Sequence, residues 1–347
     1  MNEEELILLL DGTEDDALLW MSADEKDADD TWKDVKFNLD VLTDEECKKL
    51  FRFHKNDLLN LSQYLHIPEK VIGENGSHEK GIIALCMLLR RLSYPNRLYD
   101  LQYTFGRSES EISVILKATL NHLYDNFNHL LRRFDVMFMQ QHHLDIYSRA
   151  IQDKCPLQNV FGFIDGTLRP ICRPGHNQRE SFSGHKRCHG LKFQSIMLPN
   201  GIIGNMFGPI EGRRHDSYML RESGILPQLQ NLPHRNNIPF ALYGDPAYPL
   251  RPQLLCPFRG ARITEVQQDF NTVMSSVRQC VEWGFGKITS LWAFLDFKQN
   301  LKILLQPVAK YYLVGALLTN CHTCLYGSQT GEYFGIDAPS IEEYLRL

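Results

Sequence analysis

Val160-Phe-Gly-Phe-Ile-Asp165 is a short apolar run that ends in an acid. A run of this length predicts a buried strand. Phe240-Ala-Leu-Tyr-Gly-Asp245 repeats the pattern further along. Between them, Leu191 to Leu198 and Ile202 to Phe207 are two more predicted strands. Pro199-Asn200-Gly201 joins those two, and Asn-Gly is a strong hairpin signal. A helix is predicted from about Asp216 to Ser223, and a long helical stretch from Thr264 to Leu295 carries Glu282. Strands alternating with helices over about 155 to 347 predict an α/β domain.

Two strands thus end in aspartate, and a later helix carries a glutamate. Ligands of open α/β sheets gather where strands end. Glu282 follows Asp245 by enough chain for a helix to return across that sheet edge. Carboxylates that converge repel one another and stay partly protonated unless a cation neutralises them. Hard oxygen ligands favour Mg²⁺ or Mn²⁺. Two such ions activate a water and stabilise the leaving oxygen of a phosphodiester. Asp165, Asp245 and Glu282 are therefore the candidate catalytic and metal-binding residues. Asp216 has two compatible readings: an N-cap for the helix beginning there, or a fourth acid near the metals.

The chain ahead of this domain reads differently. Residues 1–34 hold thirteen acids and two bases, a net charge of −11, and the remaining 313 residues are +6. An acidic leader, read as disordered over 1–35, thus precedes a mildly basic body. Residues 36–150 are nearly all helical in pattern. Asn56 to Leu65 and Lys80 to Leu92 read as amphipathic helices. Arg97 to Phe105 is followed by Gly106-Arg107 and then by Ser108-Glu-Ser-Glu111, a capping box. Ile112, Ile115, Leu116, Leu120 and Leu123 line one face of the next helix at helical spacing. Short helix, glycine turn and capped helix suit either a helix-turn-helix or a plain helical bundle. The outward face offers Glu109, Ser113, Lys117 and Asn121, a thin set for reading a DNA groove. Lys117 and Asn121 are the candidate contacts there.

Several classes are excluded. The apolar stretch Ile303 to Cys321 is broken by Gln306, Pro307 and Lys310, so it predicts a buried helix and not a membrane span. Glu3, Glu4 and Glu5 stand where a signal peptide needs basic residues. Nine cysteines without a disulfide rhythm fit a reducing compartment, cytosol or nucleus. His185, Cys188 and His189, like Cys321, His322 and Cys324, lack a second ligand pair at zinc spacing.

Five segments occur in order: Gly162-Phe-Ile-Asp165-Gly-Thr167, Ser183-Gly-His-Lys-Arg-Cys-His189, Gly212-Arg-Arg-His-Asp216-Ser217, Gly244-Asp245-Pro-Ala-Tyr248 and Val281-Glu282-Trp-Gly-Phe285-Gly286. Together they resemble the DDE nuclease of PIF/Harbinger transposases and the host proteins derived from them. The resemblance covers about 155 to 325, and more weakly the helices of 80–130. It implies an RNase H-like mixed sheet flanked by helices, preceded by an all-α helix-turn-helix-like domain. It also implies DNA cleavage with two Mg²⁺ ions, a nuclear location and a separate Myb/SANT-like DNA-binding partner. By motif, Asp165, Asp245 and Glu282 match the three metal ligands. Pro246 departs from the small residue usual after the second aspartate, and it restricts how Asp245 is aimed.

Lys186, Arg187, Lys192, Arg213 and Arg214 flank the acids and are the expected phosphate contacts. The reading is a divalent-metal-dependent DNA endonuclease or transposase. Its alternatives are a domesticated transposase that binds DNA or partners without cutting, and a hydrolase of small phosphoesters.

Overall fold

The computed structural model describes residues 30–134, 139–260, 262–303 and 305–346. The acidic leader falls outside them up to residue 29, and Asp30–Asp34 form a short 3-10 turn. The chain divides into two compact units. One comprises the residues up to Asn128 with Ile171–Pro174 and Thr289–Gly315; the other comprises His129–Pro170, Gly175–Ile288 and Ala316–Leu347. Residues 129–150, grouped with the first region by their helical pattern, thus lie in the second unit. Periodicity reports what a segment is, not what it packs against.

The first unit is built around helix α1 (Gly81–Ser93). Its residues 84–89 are all buried. A helix that is apolar nearly all round belongs at the centre of a core. Helix α2 (Leu98–Phe105) ends at Gly106, where φ is +64°. A Cβ there would lie 1.9 Å from the Val35 carbonyl oxygen, so only glycine fits. Helix α3 (Glu109–Phe127) starts with the expected capping box: Ser108 accepts from the Glu111 N–H and Glu111 accepts from the Ser108 N–H. Its Ile112, Ile115, Leu116, Leu120 and Leu123 are all buried, as their spacing requires.

The second unit carries the main sheet. Its strands are β1 (Val160–Pro170), β2 (Cys188–Met197), β3 (Ile203–Glu211), β4 (Ala241–Gly244) and β5 (Leu254–Leu255). Their order across the sheet is β3-β2-β1-β4-β5. Strand β2 is antiparallel to β1 and β3, while β4 is parallel to β1 and β5 to β4. The sheet is therefore mixed, with helices packed on it. The predicted hairpin joins β2 to β3, with Gly201 at φ +82°.

Side chains alternate along β1 beyond a register shift between Val160 and Gly162, so β1 feeds two different layers. Phe161 and Ile164 join a core with Leu144 and Tyr147 of α4 (Gln141–Gln152) and Leu220 of α5 (Asp216–Glu222). On β1, Asp165 projects to the face opposite Ile164. In helix α6 (Glu265–Leu291), Gly284 faces Met197 of β2: a Cβ placed there would lie 1.8 Å from the Met197 Cε, the mobile end of that side chain. The apolar stretch read as a buried helix is α7 (Val308–Tyr326), which begins just after Pro307. Among the described residues no helix is long and apolar enough to cross a membrane.

Candidate active site

Strand β1 is longer than its sequence predicts. Pairing with β2 runs from Phe163↔Met197 to Pro170↔Gly190, whereas pairing with β4 stops at Ile164↔Gly244. Asp165 is therefore in mid-strand and not at a strand end, as the sequence suggested. It is the first residue of β1 beyond the parallel ladder, and Asp245 is the first residue beyond β4. The sequence motifs thus put two carboxylates at neighbouring positions on adjacent parallel strands.

Burial of these acids is expensive. It pushes the Asp165 carboxyl up to about 6; Arg278 opposes the rise and Asp245 adds to it. Burial also raises the Asp245 carboxyl, and the charge of Asp216 adds to that effect. Each acid has local support as well. Asp165 Oδ1 accepts from the Gly166 N–H at 2.9 Å. Asp245 Oδ1 accepts from the Ala247 N–H at 2.9 Å, which fixes its side chain across Pro246. Opposite Asp165 on β2 stands Ser195, fully buried, whose Oγ has no hydrogen-bond partner. A buried polar atom left unpaired costs about 1–3 kcal/mol.

Asp216 stands across the sheet from Asp165. The N-cap of α5 is His215 and its side chain makes no capping bond, so Asp216 is the first helical residue and not the cap. A Cβ on Gly166 would come 2.9 Å from the Asp216 Oδ1, which puts this carboxylate against the glycine side of β1. Lys192 Nζ donates to Asp216 Oδ1 at 3.2 Å, with both side chains mostly buried.

Helix α6 brings a cation to Asp165. Arg278 Nη1 donates to Asp165 Oδ2 at 2.8 Å. Glu282 lies one helical turn further on, exposed, with no hydrogen bond or ion pair among the described residues. It lines a shallow polar cleft with Gln268, Ser275, Arg278 and Gln279. The structure therefore brings Asp165 and Asp245 together, with Asp216 close to their strand, and leaves Glu282 apart. Among the described residues no three His, Cys, Asp or Glu side chains stand as a metal-binding group. Sequence reading missed Arg278. Its signal was the spacing of four from Glu282, since residues four apart share a helix face.

The expected phosphate contacts divide into two sets. Lys186 and Arg187 are exposed on the turn that precedes β2. Lys192 is committed to Asp216, Arg213 to Glu180 and Glu211, and Arg214 to Glu211. In the first unit, Lys117 pairs with Glu74 at 3.0 Å. Asn121 Oδ1 accepts from Lys310 Nζ at 3.0 Å, and Lys310 is only 5% exposed. Both candidate groove readers thus have a partner within the unit.

Residues 164–320 match a family described as DDE superfamily endonuclease. Protein ALP1-like of Arabidopsis thaliana is 21% identical over 224 residues, covering 61% of this chain and 53% of its own length. The chain therefore spans about half the length of that curated relative. No solved structure matches. The segment that matches this family contains Asp165, Asp216, Asp245, Arg278 and Glu282.

Proposed function

We propose that this chain is a divalent-metal-dependent DNA nuclease of transposase descent, built on an RNase H-like sheet. The strand order β3-β2-β1-β4-β5, with β2 alone reversed, supports that fold reading. The observation that carries the function is the pair Asp165 and Asp245, buried side by side just past Ile164↔Gly244 with their carboxyls pushed upward. This is a surplus of negative charge that a hard cation relieves.

The residues present fit Mg²⁺ or Mn²⁺ at Asp165 and Asp245. The second ion of a two-metal site needs Glu282 as well, which α6 would have to bring in. When bound, the metals supply an activated water and stabilise the departing oxygen of a phosphodiester. The chain's own residues do the rest. The Ala247 N–H holds Asp245 in place. Lys192 pairs with Asp216 beside the strand. Lys186 and Arg187 are the exposed cations placed to meet a phosphate backbone. The reading assigns the protein to the nucleus. It leaves target recognition to a Myb/SANT-like partner, which the commitment of Lys117 and Asn121 favours.

A second reading, DNA or partner binding without cleavage, draws on one observation. Arg278 occupies Asp165 while Glu282 stands apart. Nicking of supercoiled plasmid in Mg²⁺ or Mn²⁺ separates the two. Cleavage by the wild type, lost in folded Asp165→Ala, Asp245→Ala and Glu282→Ala, supports the nuclease. Inert wild type, even with a DNA-binding partner added, favours the binder.

A further inference from the structure

We propose that Arg278 is a two-position residue. It sits on Asp165 as a built-in counter-cation when no metal is present, and it moves to a DNA phosphate once metal takes the carboxylate. This rests on the nuclease reading of the same site.

Three observations carry it. First, Arg278 Nη1 lies 2.8 Å from Asp165 Oδ2, the oxygen left free by the Gly166 N–H. Guanidinium and metal would compete for that oxygen. Second, the pair is only partly dry: the two side chains are 19% and 16% exposed. Arg278 also lines the open cleft that runs along α6 past Gln279 and Glu282. Its guanidinium therefore has an exit towards solvent, and that exit is where a substrate strand would lie. Third, among the described residues Arg278 forms its ion pair with Asp165. Once displaced from Asp165, it is a cation without its carboxylate, in reach of the open cleft. A planar guanidinium matches a phosphate with two parallel N–H donors.

The latch has a thermodynamic consequence. A site that is competent only a fraction of the time binds its ligand more weakly by that fraction. If Arg278 holds Asp165 nine-tenths of the time, metal affinity is roughly tenfold below that of the open site. Arg278→Gln removes the competing charge and should bind metal more tightly. It should also lose one phosphate contact, lowering the salt slope of duplex binding by about 0.9.

The experiment measures Mn²⁺ binding by calorimetry on the full chain at pH 8, where Asp165 is ionised. It compares wild type, Arg278→Gln, Arg278→Lys and Asp165→Asn. Duplex binding in Ca²⁺ at several salt concentrations is measured in parallel, and circular dichroism checks that each variant is folded. The expected result is tighter Mn²⁺ binding by Arg278→Gln, a shallower salt slope, and partial recovery of that slope in Arg278→Lys. Mn²⁺ binding by Arg278→Gln but not by wild type also supports the latch. Wild type that binds Mn²⁺ through Asp165, with Arg278→Gln no tighter, overturns the latch and leaves the nuclease reading standing. An unchanged salt slope overturns the phosphate role. If neither wild type nor Arg278→Gln binds Mn²⁺, the latch and the metal-nuclease reading fall together.

Discussion

The strand pair that carries Asp165 and Asp245 and the helix Glu109–Phe127 were both marked by sequence for contact with DNA, and the fold treats them in opposite ways. On the helix and the turn before it, polar groups are satisfied from within: Lys117 on Glu74, Asn121 on Lys310, and Arg107 on Glu79 at 2.9 Å. On the strands, charge is left unbalanced. Two acids are raised by burial, and the Ser195 Oγ is buried without a partner. A folded chain tolerates such debt where function requires it.

Four measurements break or sharpen that contrast. The largest effect belongs to the strands. Asp165→Ala or Asp245→Ala should lower metal-dependent plasmid nicking by about a thousandfold, the several kcal/mol that metal ligation supplies to the transition state. Retained nicking would move the site elsewhere.

Next comes pH. The Asp165 carboxyl is raised in the fold, so its protonated form favours the native state. That contribution is full below the ordinary carboxylate range and is lost as pH rises through about 6. The metal-free protein should therefore gain up to about 3 kcal/mol from this group on acidification from pH 7 to pH 4. Asp165→Asn should flatten that part of the urea-midpoint profile. Metal binding must run the other way and weaken below about pH 6, because the ion competes with the proton.

A smaller effect is expected on the helix. Asn121→Ala takes the amide acceptor from the buried Lys310 ammonium and should cost about 1–2 kcal/mol in chemical denaturation, with DNA affinity unchanged. A loss of DNA binding without a loss of stability would restore Asn121 as a reader. Smallest is Lys117→Ala. Its partner Glu74 is 70% exposed, so less than about 0.5 kcal/mol should be lost.

Much of this was legible without coordinates. The apolar runs around Phe161 and Leu242 became β1 and β4, and the helical spacing of Ile112 to Leu123 became a buried face. These signals are local: a run, a period or a cap is written in adjacent residues. The reading of Asp216 as a cap failed for a local reason too. His215 takes the cap position one residue earlier, and neighbouring positions compete for that role. The allocation of charge was not legible. Lys192 and Arg214 look alike in sequence as cations near acids, yet both are committed to partners that folding brings together.

By itself the sequence determined the strands, the helices, the two aspartates at the heart of the sheet and the likeness of residues 164–320 to DDE superfamily endonucleases, since each rests on the order of residues along the chain. Only the tertiary structure decided that Asp165 sits in mid-strand, that Arg278 and not Glu282 meets it, and that Asn121 faces a buried lysine. Those outcomes depend on register and on the distance between helix and sheet. No local pattern encodes either.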